Sequence, residues 1–187
     1  MNQFTLIYGC MFAGKSTRLI EFYQDFDDDP ARKLAVKPLL DNRYAIHGVN
    51  SHNGLTIPCH RVGKPEEITS LVDDHVKAVF IDEIQFFDIN ILSTVNYLLT
   101  MGLEVYGAGL DRDYLGRDFG HMPALKALAR NRIQVHARCT VCGSKADHTF
   151  RVYDSDQLIL VGHSDAYEAR CARCWKEGEA AKAGSKG

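Results

Sequence analysis

The sequence predicts an α/β fold: a parallel sheet with helices on both faces, followed by a small cysteine-bearing, β-rich unit. Three observations carry this. Short apolar, β-branched runs alternate with helical patterns up to about residue 138; a glycine-bounded octapeptide joins the first run to the first helix; and two C-x-x-C pairs follow where the alternation ends. A chain of 187 residues, 45% hydrophobic and 25% charged, has the composition of a soluble globular domain and can bury a core without disulfides.

The elements follow in order. FTLIYG at residues 4–9 is a buried strand, and KSTRLIEFYQDF from Lys15 has helical spacing with Leu19, Phe22 and Tyr23 on one side. LAVKPLL around Val36 is a second strand. Residues 44–54, with two glycines and two asparagines among polar neighbours, are a mobile loop. KAVFIDE from Lys77 is a near-continuous apolar run suited to the centre of a parallel sheet. Residues 89–101 are helical with Gly102 as the stop, LEVYGAGL from Leu103 is a further strand, and residues 122–130 form a short helix. IQVHA from Ile133 leads into the first cysteine pair, after which residues 147–152 and 158–162 are β-like. The expected units are therefore 1–138, 139–175 and a disordered tail, 176–187, whose sequence KEGEAAKAGSKG has no apolar anchor.

The octapeptide Gly9, Cys10, Met11, Phe12, Ala13, Gly14, Lys15, Ser16 fits the P-loop pattern G-x-x-x-x-G-K-[ST], between a strand and a helix as the pattern requires. Glycines let backbone N–H groups turn toward phosphate oxygens, and the helix presents its positive dipole end. Lys15 is placed to bridge β- and γ-phosphates and Ser16 to ligate magnesium. The sheet is thus of the P-loop NTPase type, with ATP and Mg²⁺ as cofactors. The third strand ends in Asp82 and Glu83, where Asp82 can hold the magnesium shell and Glu83 can reach a nucleophile in front of the γ-phosphate. The pair leaves the nucleophile open, since a Glu in this place orients water in ATPases and takes a proton from a hydroxyl in kinases. Met11, Phe86, Leu110, Tyr114 and Phe119 offer the flat and aliphatic surfaces that an uncharged base needs.

Cys139, Cys142, Cys171 and Cys174 have the ligand type and pair spacing of a closed tetrahedral zinc site. Two disulfides would need an oxidising compartment, and a redox C-x-x-C would open a helix in a thioredoxin-like setting. With no coordination position left open, the zinc is structural. Cys10 and Cys59 are small packed residues, and the histidines show no ligand spacing. A net charge of −2 without a dense basic run argues against a nucleic-acid or membrane surface. MNQ passes straight into the first strand with neither a basic leader nor an apolar leader segment, so a cytoplasmic location is expected. An N-K-x-D guanine-reading element is absent, which disfavours a GTPase.

GCMFAGKS, LLDNRY, FIDEIQFF, GLDRDYLGRDFG and the two cysteine pairs with VGHSDAYEARCARC occur in the order and approximate spacing of type II thymidine kinases. The chain resembles that family from Phe4 to Cys174. The resemblance implies transfer of the γ-phosphate of ATP to the 5′-hydroxyl of thymidine, with Glu83 as catalytic base. It places Asp41, Asn42 and Arg43 beside the donor phosphates, and Asp82, Glu83, Ile84 and Gln85 in the same nucleotide site. Residues 109–120 match the lasso loop that folds over the nucleoside, with Tyr114 where the family usually has a Phe stacked on the base. Leu158, Ile159, Leu160, Val161, Gly162 and Tyr167 match the stretch that completes the thymine pocket, in a zinc-bearing lasso domain, with Met11 near the 5-methyl. A homotetramer is common in the family. Asp118 precedes Phe119 where members often have Pro, and Ile84 stands where many have a small residue.

Overall fold

The structure is a computed structural model that describes residues 3–39, 49–50, 56–153 and 166–184. The sites expected at Asp41, Asn42 and Arg43 and at residues 158–162 lie outside the described residues, as does most of the loop expected at 44–54.

In chain order the elements are β1 (Phe4–Gly9), α1 (Lys15–Phe26), a 3₁₀ turn (Pro30–Arg32), β2 (Lys33–Pro38), β3 (Val49–Asn50), β4 (Thr56–Ile57), β5 (His60–Val62), α2 (Glu66–Ser70), β6 (Ala78–Ile81), a second 3₁₀ turn (Ile84–Phe86), α3 (Asn90–Thr100) and β7 (Glu104–Leu110). They continue as α4 (Met122–Leu128), β8 (Asn131–Gln134), β9 (Ala137–Arg138), β10 (Lys145–Ala146), β11 (His148–Arg151), β12 (Tyr167–Arg170) and α5 (Ala172–Gly184). A six-stranded sheet runs β5-β2-β6-β7-β1-β8 and every pairing in it is parallel. The α/β reading therefore holds. The order of β5 and β8 at the edges follows from composition: HRV is short, and NRIQ alternates half-buried with exposed residues.

Each face of the sheet has its own core. On one, α1 lays Leu19, Ile20 and Tyr23 over Ile7, Ala35, Phe80 and Ala108. Phe80 and Tyr106 stack at 5° and 4.8 Å between ring centres, and Phe22 leans on Tyr106 at 5.2 Å. On the other, α2, α3 and α4 contribute Ile68, Ile91, Val95, Leu98 and Leu125 over Leu6, Val36, Val79 and Ile81. All four residues of β6 are buried, because its side chains meet both cores in alternation. The sequence reading passed over β5 and α2, each too short to develop a period. Among the described residues, no helix is long and apolar enough to cross a membrane.

The tail is the main correction. Residues 172–184 form α5, which packs on β11 and β12, where a disordered tail from residue 176 was expected. Cys174 and Trp175 fasten its first turn, but beyond them what anchors it is not an apolar side chain. Gly178 lets the helix approach so closely that a Cβ there would fall 2.6 Å from the Phe150 ring and 2.3 Å from Arg170. Lys182 lies over the Phe150 ring, 4.0 Å from its centre, and donates to the Arg151 carbonyl. At an open helical position Gly→Ala stabilises by about 1 kcal/mol. Gly178→Ala is expected instead to destabilise by about 1–3 kcal/mol through overpacking, measured as a lower midpoint in chemical denaturation; a raised midpoint would show α5 to be detached.

Candidate active site

β1 delivers the chain to the C-terminal edge of the sheet at Gly9, beside β8. The Val135 N–H donates to the Tyr8 carbonyl at 2.9 Å, so the two backbones are held close, and a Cβ on Gly9 would lie 2.2 Å from the Val135 oxygen. Only glycine fits there. The loop then turns through Phe12, at φ 64°, and Gly14, at φ 80°, before α1 begins without a side-chain cap. Successive N–H groups in such a turn, continued by an uncapped helix N-terminus, make a concave anion site. The Lys15 ammonium is buried beneath it and donates to the Cys10 carbonyl at 2.8 Å. Burial lowers its pKa, against which the charges of Glu83, Cys10 and Asp82 act.

β6 ends beside the loop and presents Asp82. The Ser16 hydroxyl lies 3.1 Å from both Asp82 carboxylate oxygens. Neighbouring ligands of an octahedral Mg²⁺ with bonds of 2.0–2.1 Å are about 3 Å apart, so the pair is already at the separation a magnesium site needs. Burial and the adjacent Glu83 charge push the Asp82 carboxyl up to about 7, while hydrogen bonds from Ser16 and the Glu83 backbone, and the Lys15 charge, act against the rise. A dication and a polyphosphate fit such a donor set, since each supplies charge of the sign the buried partner lacks.

Glu83 follows in a left-handed conformation, at φ 51°. Among the described residues it and Phe12 are the non-glycine residues with positive φ. Such a conformation costs a bulky residue about 1–2 kcal/mol, and here the cost falls on the two segments that face the anion site. The turn after Glu83 holds it: buried Gln85 donates to the Glu83 carboxylate at 2.5 Å and accepts from the Leu110 N–H at 3.1 Å. Gly109 makes room, because a Cβ there would lie 2.6 Å from the Gln85 amide oxygen. Gln85 was expected to touch nucleotide, but its side chain links the carboxylate to the loop that follows β7. The Ile84 side chain is fully buried in the core.

The remaining expected contacts fall into two groups. Phe86 and Phe119 meet edge to face at 5.4 Å, near Gln85, whose carbonyl lies 3.0 Å from where a Cβ on Gly120 would sit. Met11, Tyr114 and Tyr167 gather around β11: the Met11 N–H donates to the Thr149 hydroxyl at 3.0 Å, and Tyr114 and Tyr167 lie against Arg151. The loop between β7 and α4 is stiffened by buried Asp113, which accepts from the Leu115 N–H at 2.9 Å, the Arg117 N–H at 2.9 Å and the Arg117 guanidinium at 2.8 Å. A bridge between Arg112 and Asp118 closes it. Rigidity that a proline would have lent is supplied by Asp113. The D-x-L-G pattern around it was the signal that could have revealed this. Thr149, Arg151 and Trp175 were also passed over, because only tertiary contacts give them a role.

The sulfur atoms of Cys139, Cys142, Cys171 and Cys174 all lie within 4.8 Å of one another, with Cys142 and Cys171 at 3.7 Å. Tetrahedral Zn–S bonds of 2.3 Å place sulfurs about 3.8 Å apart, so the cluster fits zinc. Ser144 holds the Cys142 thiol down to about 6, whereas burial and the neighbouring thiols push Cys174 up to about 12. Four thiolates can share this space only around a cation. The cluster abuts the phosphate loop: Cys10 and Ala13 pack in one group with Cys139, Ala146, Ala169 and Cys174, and the Cys10 thiol donates to the Ala146 carbonyl at 3.5 Å.

The family model described as Thymidine kinase matches residues 2–175. The chain belongs to the thymidine kinase family.

Zinc removal is expected to loosen both the cysteine unit and the phosphate loop, since they share one packed cluster. Chelation, or Cys171→Ser, should release one equivalent of zinc and accelerate backbone hydrogen exchange over residues 9–14, 137–151 and 166–175 while β6 and β7 stay protected. Unchanged exchange in metal-free protein would refute it.

Proposed function

We propose that this member of a family of phosphotransferases moves the γ-phosphate of ATP to the 5′-hydroxyl of thymidine, giving thymidine 5′-monophosphate. The observation that carries the reading is the Gln85 bridge. One side chain fixes the Glu83 carboxylate and the start of the loop expected to cover the acceptor, so the group that takes a proton and the surface that positions the hydroxyl are set by the same residue. Such coupling serves an acceptor that must be placed and shielded from water better than it serves water itself.

The chain's own groups then have distinct tasks. The backbone of residues 9–14 and Lys15 hold the donor phosphates, and Ser16 and Asp82 orient the metal. Bound Mg·ATP supplies the phosphoryl group and the cation that neutralises it. Glu83 accepts the proton of the 5′-hydroxyl as the hydroxyl oxygen attacks the γ-phosphorus and the bond from that phosphorus to the β,γ-bridging oxygen breaks, with ADP leaving. Arg43 is assigned to neutralising charge on the transferring group, by family resemblance. Met11, Phe86, Leu110, Tyr114, Phe119 and Tyr167, with residues 158–162, are assigned to the nucleoside. The partner is accordingly a small molecule, not a nucleic acid or a membrane; a cytoplasmic homotetramer is part of the same proposal.

The discriminating assay is ADP release from ATP alone, with each deoxynucleoside, and with DNA. Thymidine should stimulate strongly and deoxycytidine little. Stimulation by DNA and by no nucleoside would overturn the reading. Deoxyuridine should lose only the 5-methyl contact, about 10–200-fold, and Met11→Ala should narrow that ratio.

Glu83→Gln keeps size and hydrogen bonding but removes the proton acceptor. Single-turnover transfer should fall by about 10²–10⁴-fold with thymidine binding retained. Asp82→Asn should instead shift the Mg²⁺ concentration dependence. Near wild-type turnover in Glu83→Gln would leave positioning and charge neutralisation to carry the reaction.

A further inference from the structure

Arg151 is the largest fully buried side chain among the described residues, 1% exposed at the end of β11. A guanidinium is a costly group to bury for packing alone, because an apolar residue of similar volume fills the same space without desolvating a charge. Its surroundings show what it holds. The guanidinium carbon lies 3.6 Å from the centre of the Tyr114 ring, in face-on contact, and 5.6 Å from that of Tyr167, whose hydroxyl accepts from Nη2 at 3.3 Å. Tyr114 is gripped from its backbone as well: the Trp175 indole N–H donates to the Tyr114 carbonyl at 3.2 Å, and Gly116 leaves space for the same indole, where a Cβ would stand 3.3 Å from it. Tyr114 comes from the loop after β7; Arg151 and Trp175 come from β11 and α5.

The strand has a second grip. Thr149, two residues before Arg151, takes the Met11 N–H of the phosphate loop. Residues two apart on a strand share a face about 6.6–6.8 Å apart. One face of β11 thus holds the phosphate-binding loop at one position and the acceptor loop at the next. Because the guanidinium occupies one face of the Tyr114 ring, a base stacked on that ring has only the other face to use.

We propose that Arg151 is a positioning residue for the acceptor nucleoside: by stacking on Tyr114 and bonding to Tyr167 it fixes both rings relative to the phosphate loop. The proposal rests on the nucleoside reading given above. It assigns Arg151 no contact with the reacting atoms, so its loss acts on acceptor affinity and leaves donor binding alone.

The chain has a single tryptophan, Trp175, whose contact with Tyr114 makes its fluorescence a direct report on the loop. Arg151→Lys keeps the charge and loses the planar stack. It is expected to raise the thymidine KM about tenfold with a smaller change in kcat, to leave zinc content and the Kd for ATP unchanged, and to increase quenching of Trp175 by acrylamide. Tyr114→Leu should increase the same quenching, and the double variant should be no worse in KM than the more affected single one. Additive effects in the double variant, or an unchanged KM with unchanged quenching in Arg151→Lys, would overturn the proposal. Should Arg151→Lys fail to fold, unchanged Trp175 quenching in Tyr114→Leu overturns it alone. A wild-type protein without nucleoside dependence would instead sink the functional reading, while the quenching comparison still decides whether Arg151 holds the loop.

Discussion

Two opposite charges sunk into the edge of a parallel sheet set the terms for everything around them. Lys15 and Asp82 stand at the ends of elements whose hydrophobic faces drive them into the core, so neither can be hydrated as it would be at a surface. Lys15 meets that cost with the Cys10 carbonyl and the carboxylates near it; Asp82 meets it with the Ser16 hydroxyl and the Lys15 charge. These are incomplete solutions. A carboxyl pushed up to about 7 and an ammonium pushed down are groups whose surroundings suit a dication and a polyphosphate better than they suit the groups by themselves.

Such a site works only if the loop around it does not give way. The phosphate loop is braced on both sides. β8 presses the Val135 carbonyl against Gly9, and the cysteine unit takes the Cys10 thiol, the Ala13 side chain and the Met11 N–H. The four cysteines are thus more than a clasp for a distant appendage. Their cluster backs the loop between β1 and α1, so a zinc ion held there would stiffen that loop as well as the cysteine unit.

The loop between β7 and α4 is built with the same economy. Asp113 ties its turn from within, Gln85 fastens its beginning to Glu83, and Arg151 and Trp175 seize its middle from the far unit. α5 closes the arrangement by laying Lys182 on Phe150 and on the Arg151 carbonyl. Buried and half-buried polar and cationic groups make most of these joins, and each has a defined direction that a hydrophobic contact lacks.

What residue order alone determined is what local chemistry dictates. The P-loop pattern between a strand and a helix, the all-apolar β6, the acids at its end and the cysteine spacing were legible because each depends on neighbours within a few residues, or on ligand chemistry that tolerates few alternatives. Tertiary structure alone decided the rest. That Gln85 faces Glu83 and Leu110, that Ile84 turns into the core, and that Arg151 underlies Tyr114 cannot be read from spacing, since the partners are brought together by sheet order and not by sequence distance. The tail shows the same limit most plainly: KEGEAAKAG, residues 176–184, carries no apolar stripe, and it folds as a helix because a missing side chain at Gly178 lets Phe150 and Arg170 come close enough to hold it.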